Sequence, residues 1–241
     1  MDSFWINIIL FLSAFIAGVI FINISINNKA VYKNLLSFSG AFLFGLTILH
    51  FIPEVFRDFK ISYGIVILLG FSFQIAIEFL TQGLDHGHYH SGGKSKLRFS
   101  AVAGLFIHSI FEASPLASHA HGHGHDHGIS GDYFLWGLVL HKIPVAIFLG
   151  TVVSQVFAKK WHAYLVILAF ALMAPLGLIL SEHIEFIQKF HEYFMAFVVG
   201  IFLYISTTIL YEINENHSFN TFKFIAIMVG FSVAIVTALI G

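Results

Sequence analysis

Apolar residues along this chain collect into eight long runs, broken by short polar stretches, near residues 4–24, 35–53, 61–81, 99–117, 133–154, 162–181, 190–211 and 222–240. A helix needs about twenty such residues to cross the hydrocarbon core of a bilayer. The pattern therefore predicts an all-α integral membrane protein, with eight transmembrane helices in a single transmembrane domain over residues 1–241. The first run has no basic segment before it and no small-residue cleavage site after it, and Asp2 precedes it. It reads as a first transmembrane helix rather than a cleavable signal.

The polar breaks carry the topology. Lys29 and Lys33 follow the first run, Lys94, Lys96 and Arg98 the third, Lys159 and Lys160 the fifth, and Lys223 the seventh. The opposite side holds Arg57, Lys60 and Lys189, so basic residues divide eight to three. The positive-inside rule then places both termini outside the cytoplasm. Two breaks are rich in histidine. The loop at about 118–132, with His119, His121, His123, His125 and His127, falls on the extracytoplasmic side. The loop at about 82–98, with His86, His88 and His90, falls on the cytoplasmic side.

Composition narrows the class. The chain is 58% hydrophobic and 10% charged, with a mean hydropathy of +0.86, whereas soluble domains carry about 25% charged residues. Net charge is −1 and no basic stripe exists outside the loops, which gives no footing for nucleic acid. There is no cysteine, so disulfides, thiolate ligands and iron–sulfur clusters are excluded. Fifteen histidines outnumber the twelve lysines and arginines together. Any metal site has imidazole, carboxylate, hydroxyl, carbonyl or water to work with.

Two apolar runs contain ionisable side chains at mid-depth, where charge is expensive and by default functional. The fourth holds His108-Ser109-Ile110-Phe111-Glu112. His108 and Glu112 are i,i+4 and share one helix face, within reach of one ion. Imidazole nitrogen and carboxylate oxygen bind Zn²⁺ at about 2.0–2.2 Å and suit other divalent transition metals. The fifth holds His141-Lys142-Ile143-Pro144, roughly 12 Å along the axis from Tyr133 at 1.5 Å per residue. At that depth the Lys142 ammonium needs a partner, and Glu112 is the acid at matching depth. Lys142 reads as a structural counter-ion, as the occupant of a place a second metal would fill, or as a charge exchanged while metal passes. Pro115 and Pro144 are expected to free backbone carbonyls beside the site. A buried His–Glu pair that only braces the bundle is the alternative to a metal site.

A faint repeat also runs through the chain, with chance likeness between Phe/Leu/Ile-rich helices as the alternative. Gly40-Ala41-Phe42-Leu43-Phe44 with Thr47-Ile48-Leu49 in the second run matches Gly200-Ile201-Phe202-Leu203-Tyr204 with Thr208-Ile209-Leu210 in the seventh. The topology gives these runs opposite directions, as an inverted-repeat transporter would have.

On these residues the chain resembles the ZIP (Zrt/Irt-like) family of divalent metal transporters. The family's fourth span carries His-Ser/Asn-x-x-Glu-Gly, which His108-Ser109-Ile110-Phe111-Glu112-Ala113 resembles; its fifth carries a His/Gln-Glu/Asp/Lys-x-Pro-Glu-Gly-like motif, which His141-Lys142-Ile143-Pro144-Val145-Ala146 resembles. His50-Phe51-Ile52-Pro53-Glu54 and Gly200-Ile201-Phe202-Leu203-Tyr204 are similar to family patterns as well. The resemblance implies eight helices in a 3+2+3 arrangement, helices 1–3 and 6–8 related by inversion, and a transport site on helices 4 and 5. It also implies movement of Zn²⁺, Fe²⁺ or a similar ion toward the cytoplasm, often by a homodimer. Many members bind two adjacent metals bridged by carboxylates of spans four and five, with help from span six. Here Val145 replaces the fifth-span glutamate, Lys142 takes a second-metal position, and the sixth run has no acid before Glu182. One intramembrane metal is expected, held by His108, Glu112 and His141, with Ser109 or water completing the shell.

Zn²⁺ is the expected cargo, with Fe²⁺, Mn²⁺ or Cd²⁺ open, since affinity order does not decide cellular selectivity. His50 and Glu54 are candidates for the access path, the five-histidine loop for metal capture, and His86, His88 and His90 for accepting released metal. The compact chain reads as a multi-pass protein of a bacterial cytoplasmic membrane. A membrane metal sensor and an intramembrane metallohydrolase are the rival classes, but the hydrolase lacks a His-Glu-x-x-His motif and any mid-membrane aspartate.

Overall fold

The computed structural model describes residues 3–24, 29–81, 99–114, 116–117, 131–212 and 221–240. Among these residues the regular structure is all helix, with no strand. The elements are α1 (Ser3–Asn23), α2 (Lys29–Leu46), a π-helical turn (Thr47–Phe51), α3 (Ile52–Val55), α4 (Ile61–Thr81) and α5 (Phe99–Ala113). They continue with α6 (Gly131–Val156), α7 (Lys160–His183), α8 (Glu185–Lys189), α9 (His191–Glu212) and α10 (Thr221–Ile240).

Seven membrane-crossing helices, by length and composition, are present among the described residues. The fourth expected run differs. Its helix, α5, is 15 residues, about 22 Å at 1.5 Å per residue, and ends at Ala113 rather than continuing to residue 117. The cause is local. Ser114 precedes Pro115, and a residue before proline is disfavoured in helical geometry. Ser114 instead closes a tight turn, its N–H and its Oγ both donating to Phe111 O, at 3.3 Å and 2.6 Å. Pro115 itself and both histidine-rich loops lie outside the described residues.

The second run is also not one uniform α-helix. After Leu46 the backbone widens into the π-helical turn, in which Ile52 N–H donates to Thr47 O. Pro53 follows immediately and has no N–H to offer the turn before it.

Packing divides into two buried clusters. One joins Phe42, Leu46, Phe51, Val199 and Phe202, mainly from α2 and α9. The other joins Ala14, Val145, Leu149, Ile167 and Phe170 from α1, α6 and α7. Ile143 of α6 packs on both, and α6 is the most buried of the spans while α10 is the least. Helix α1 packs on α6 and α7, α5 on α7, α9 on α4 and α2, and α10 on α2. Between helices in a bilayer, van der Waals contact replaces the hydrophobic effect as the main attraction, so small residues let backbones close up. At Gly177 of α7, a Cβ would collide with the backbone carbonyl of Ile110, which fixes α5 beside α7. At Gly137 of α6 it would meet Leu46 Cδ2 at 2.7 Å and Phe42 Cε1 at 3.1 Å, so this glycine seats α6 against α2.

Candidate metal centre

Helices α5 and α6 bring three ligand-bearing side chains to one point. His108, Glu112 and His141 each place a ligand atom within 4.8 Å of the other two, and all three are buried. His108 Nε2 lies 3.3 Å from Glu112 Oε2, and His141 Nε2 lies 3.9 Å from the same oxygen. The i,i+4 spacing stacks His108 over Glu112 on α5. The imidazole of His141 meets that of His108 nearly at right angles, with ring centroids 6.0 Å apart. In a tetrahedral zinc site with bonds of about 2.0–2.1 Å, ligand atoms lie about 3.3 Å apart. The His108–Glu112 separation has that value, while His141 Nε2, 3.9 Å from Glu112 Oε2, must draw closer for the three to hold one small divalent cation.

Lys142 is fully buried beside this group. Its Nζ donates to Glu112 Oε1 and, at 2.6 Å, to Ser109 Oγ, and lies 5.1 Å from the centre of the Phe170 ring on α7. A buried ammonium is tolerable when a carboxylate, a hydroxyl and an aromatic face together replace its water. Ser109, a candidate metal ligand by sequence, therefore spends its hydroxyl oxygen on Lys142. Glu112 divides its two oxygens: Oε1 serves the ammonium and Oε2 faces both imidazoles.

Two residues escaped the sequence reading. Phe170 is one, since nothing in an apolar run distinguishes a ring that meets a lysine from one that meets lipid. Ser39 of α2 is the other. It is fully buried, and its Oγ lies 3.2 Å from His141 Nδ1. Its signal was faint: a neutral hydroxyl one residue before the repeat's Gly40.

The other candidates lie apart from this group. His50 sits in the π-helical turn, half-buried, and its Nε2 has no hydrogen-bond partner among the described residues. Such turns recur at functional positions. Glu54 is paired with Arg57 at 3.2 Å and is half exposed. Glu192, at the paired ends of α4 and α9, accepts from Tyr63 OH and lies 3.7 Å from Lys60. The Tyr63 hydroxyl, accepting a hydrogen bond from Lys60, holds that ammonium above its ordinary pKa. The capture candidates His119, His121, His123, His125 and His127, and the acceptor candidates His86, His88 and His90, fall outside the described residues.

A bundle of bilayer-length helices enclosing two imidazoles and a carboxylate defines a polytopic membrane protein equipped to meet a divalent cation. The family model described as ZIP Zinc transporter matches residues 98–238, from α5 to α10 and including the whole ligand group. The chain belongs to this family, whose members move divalent metal ions across membranes and are transporters rather than enzymes. Comparison with curated protein sequences returns no match.

Proposed function

We propose that this chain carries a divalent transition-metal ion, Zn²⁺ foremost, toward the cytoplasm through one site made by His108, Glu112 and His141. The observation that supports this most is the convergence of those three ligands from two different helices at a buried point. Two neutral imidazoles and one carboxylate leave a fourth position for water, and an open coordination position is what lets a metal be exchanged rather than stored. Lys142 stands as the second, permanent cation, which accounts for Val145 in place of the fifth-span glutamate and for a sixth run with no acid before Glu182.

The full architecture belongs to the same reading: eight crossings in a 3+2+3 arrangement, with α5 as the fourth crossing and the outer triplets inverted. Partner exchange supports it. Helix α4 packs on α9 as α10 packs on α2, and α1 packs on α6 as α7 packs on α5. A second sequence match supports it too. Ile67-Leu68-Leu69-Gly70-Phe71-Ser72 in α4 parallels Ile227-Met228-Val229-Gly230-Phe231-Ser232 in α10, at the spacing that separates Gly40 from Gly200. In this reading both termini are extracytoplasmic, His50 and Glu54 lie on the way in, the five-histidine loop gathers metal, and His86, His88 and His90 receive it.

Uptake of radiolabelled Zn²⁺ into proteoliposomes tests the proposal. The wild type should show saturable flux, and His108→Ala and Glu112→Ala should lose most of it. Absence of metal-dependent flux in the wild type would leave a sensor as the better reading; wild-type flux in both variants would remove the site.

A further inference from the structure

We propose that Ser39 is a positioning residue for His141, holding its imidazole so that Nε2 faces the metal. The inference rests on His141 being a ligand, as proposed above.

Ser39 stands out among the hydroxyls of the spans. A serine or threonine in a helix ordinarily bonds a carbonyl one turn back. Ser37 does so with Lys33 O at 2.7 Å, Thr47 with Leu43 O at 2.7 Å, Ser181 with Gly177 O at 2.9 Å, and Ser206 with Phe202 O at 2.6 Å. Ser39 instead reaches a side chain 102 residues away on another helix. Gly137 makes this reach physical. It lies one turn before His141, and its lack of a side chain lets α6 settle against Phe42 and Leu46 of α2. Ser39, one turn before Phe42 on α2, then falls opposite the imidazole.

The chemistry follows from imidazole having one proton for two nitrogens. For Nε2 to give its lone pair to a metal, that proton must sit on Nδ1, where Ser39 Oγ accepts it. The separation of 3.9 Å between Nε2 and Glu112 Oε2 is too long for that carboxylate to hold a proton on the other nitrogen. His108 has no such support: its Nδ1 is buried without a hydrogen-bond partner among the described residues. Ser39 thus makes His141 the pre-set ligand of the pair. A hydroxyl does this without adding negative charge, whereas a carboxylate there would strengthen the ligand and retain the metal.

Zn²⁺ uptake by the full chain in proteoliposomes tests the proposal. Ser39→Ala should raise KM about 10- to 100-fold, the usual cost of losing such a support, with little change in maximal rate. Ser39→Thr keeps the acceptor and should restore KM. Ser37→Ala, whose hydroxyl serves only its own helix, should match the wild type. Where the alanine variant does not fold, Ser39→Cys, close in size and a weak acceptor, should give the same rise. A wild-type KM in Ser39→Ala or Ser39→Cys, or no rescue by threonine, overturns the positioning role. His141→Ala in the same assay separates the two levels: if its KM equals the wild type's, His141 is not a ligand and the underlying site reading fails instead.

Discussion

Lys142 is the residue on which the energetics of the site turn. Removing one member of a buried ion pair strands the other, at a cost of about 3–5 kcal/mol. Lys142→Met should therefore lower the thermal midpoint of metal-free protein by roughly 6–20 °C. It also frees Glu112 Oε1 for the cargo. Zn²⁺ should restore more stability to this variant than it adds to the wild type, with a lower KM and slower turnover. Thermal melts with and without Zn²⁺ check this, and an unchanged metal-free midpoint would contradict it. The ionisable members of the group stood out in the sequence because histidine, glutamate and lysine are costly inside apolar runs. Ser39 and Phe170 did not, because their significance depends on which neighbour they meet across the bundle.

At the scale of elements, two helices owe their form to proline. Helix α5 stops at Ala113 because Pro115 discourages the turn before it, and the widened turn at Thr47–Phe51 precedes Pro53. Hydropathy measures apolar length and passes over such endings, so the runs were legible while the true end of α5 and the π-helical turn were not. Packing of α5 depends on Gly177. A methyl group there meets a backbone carbonyl, which cannot swing aside as a side chain can. Overpacking of this kind costs about 1–3 kcal/mol, and it pushes on Ile110, midway between His108 and Glu112. Gly177→Ala should cut Zn²⁺ flux several-fold while the protein still reaches the bilayer. Wild-type flux in that variant would show that the site tolerates displacement of α5.

Across the whole molecule, the sequence carried the helical class and the family more readily than the arrangement. The likeness of Gly40-Ala41-Phe42-Leu43 to Gly200-Ile201-Phe202-Leu203 is faint in the sequence alone. The second likeness, Gly70-Phe71-Ser72 to Gly230-Phe231-Ser232, takes its weight from the packing of α4 on α9 and of α10 on α2. In the proposed function the five-histidine loop serves the whole transporter by raising local metal concentration. Deleting residues 119–127 should raise KM for Zn²⁺ and leave the maximal rate alone; an unchanged dose response would exclude capture by that loop.

The central claim is that one mobile cation and one fixed ammonium share this site. Counting metal at the core tests it most directly, by equilibrium Zn²⁺ binding to purified protein lacking residues 119–127 and carrying His86→Ala, His88→Ala and His90→Ala. One ion per protomer, lost on His108→Ala, is the predicted result. Two core ions per protomer would contradict the account.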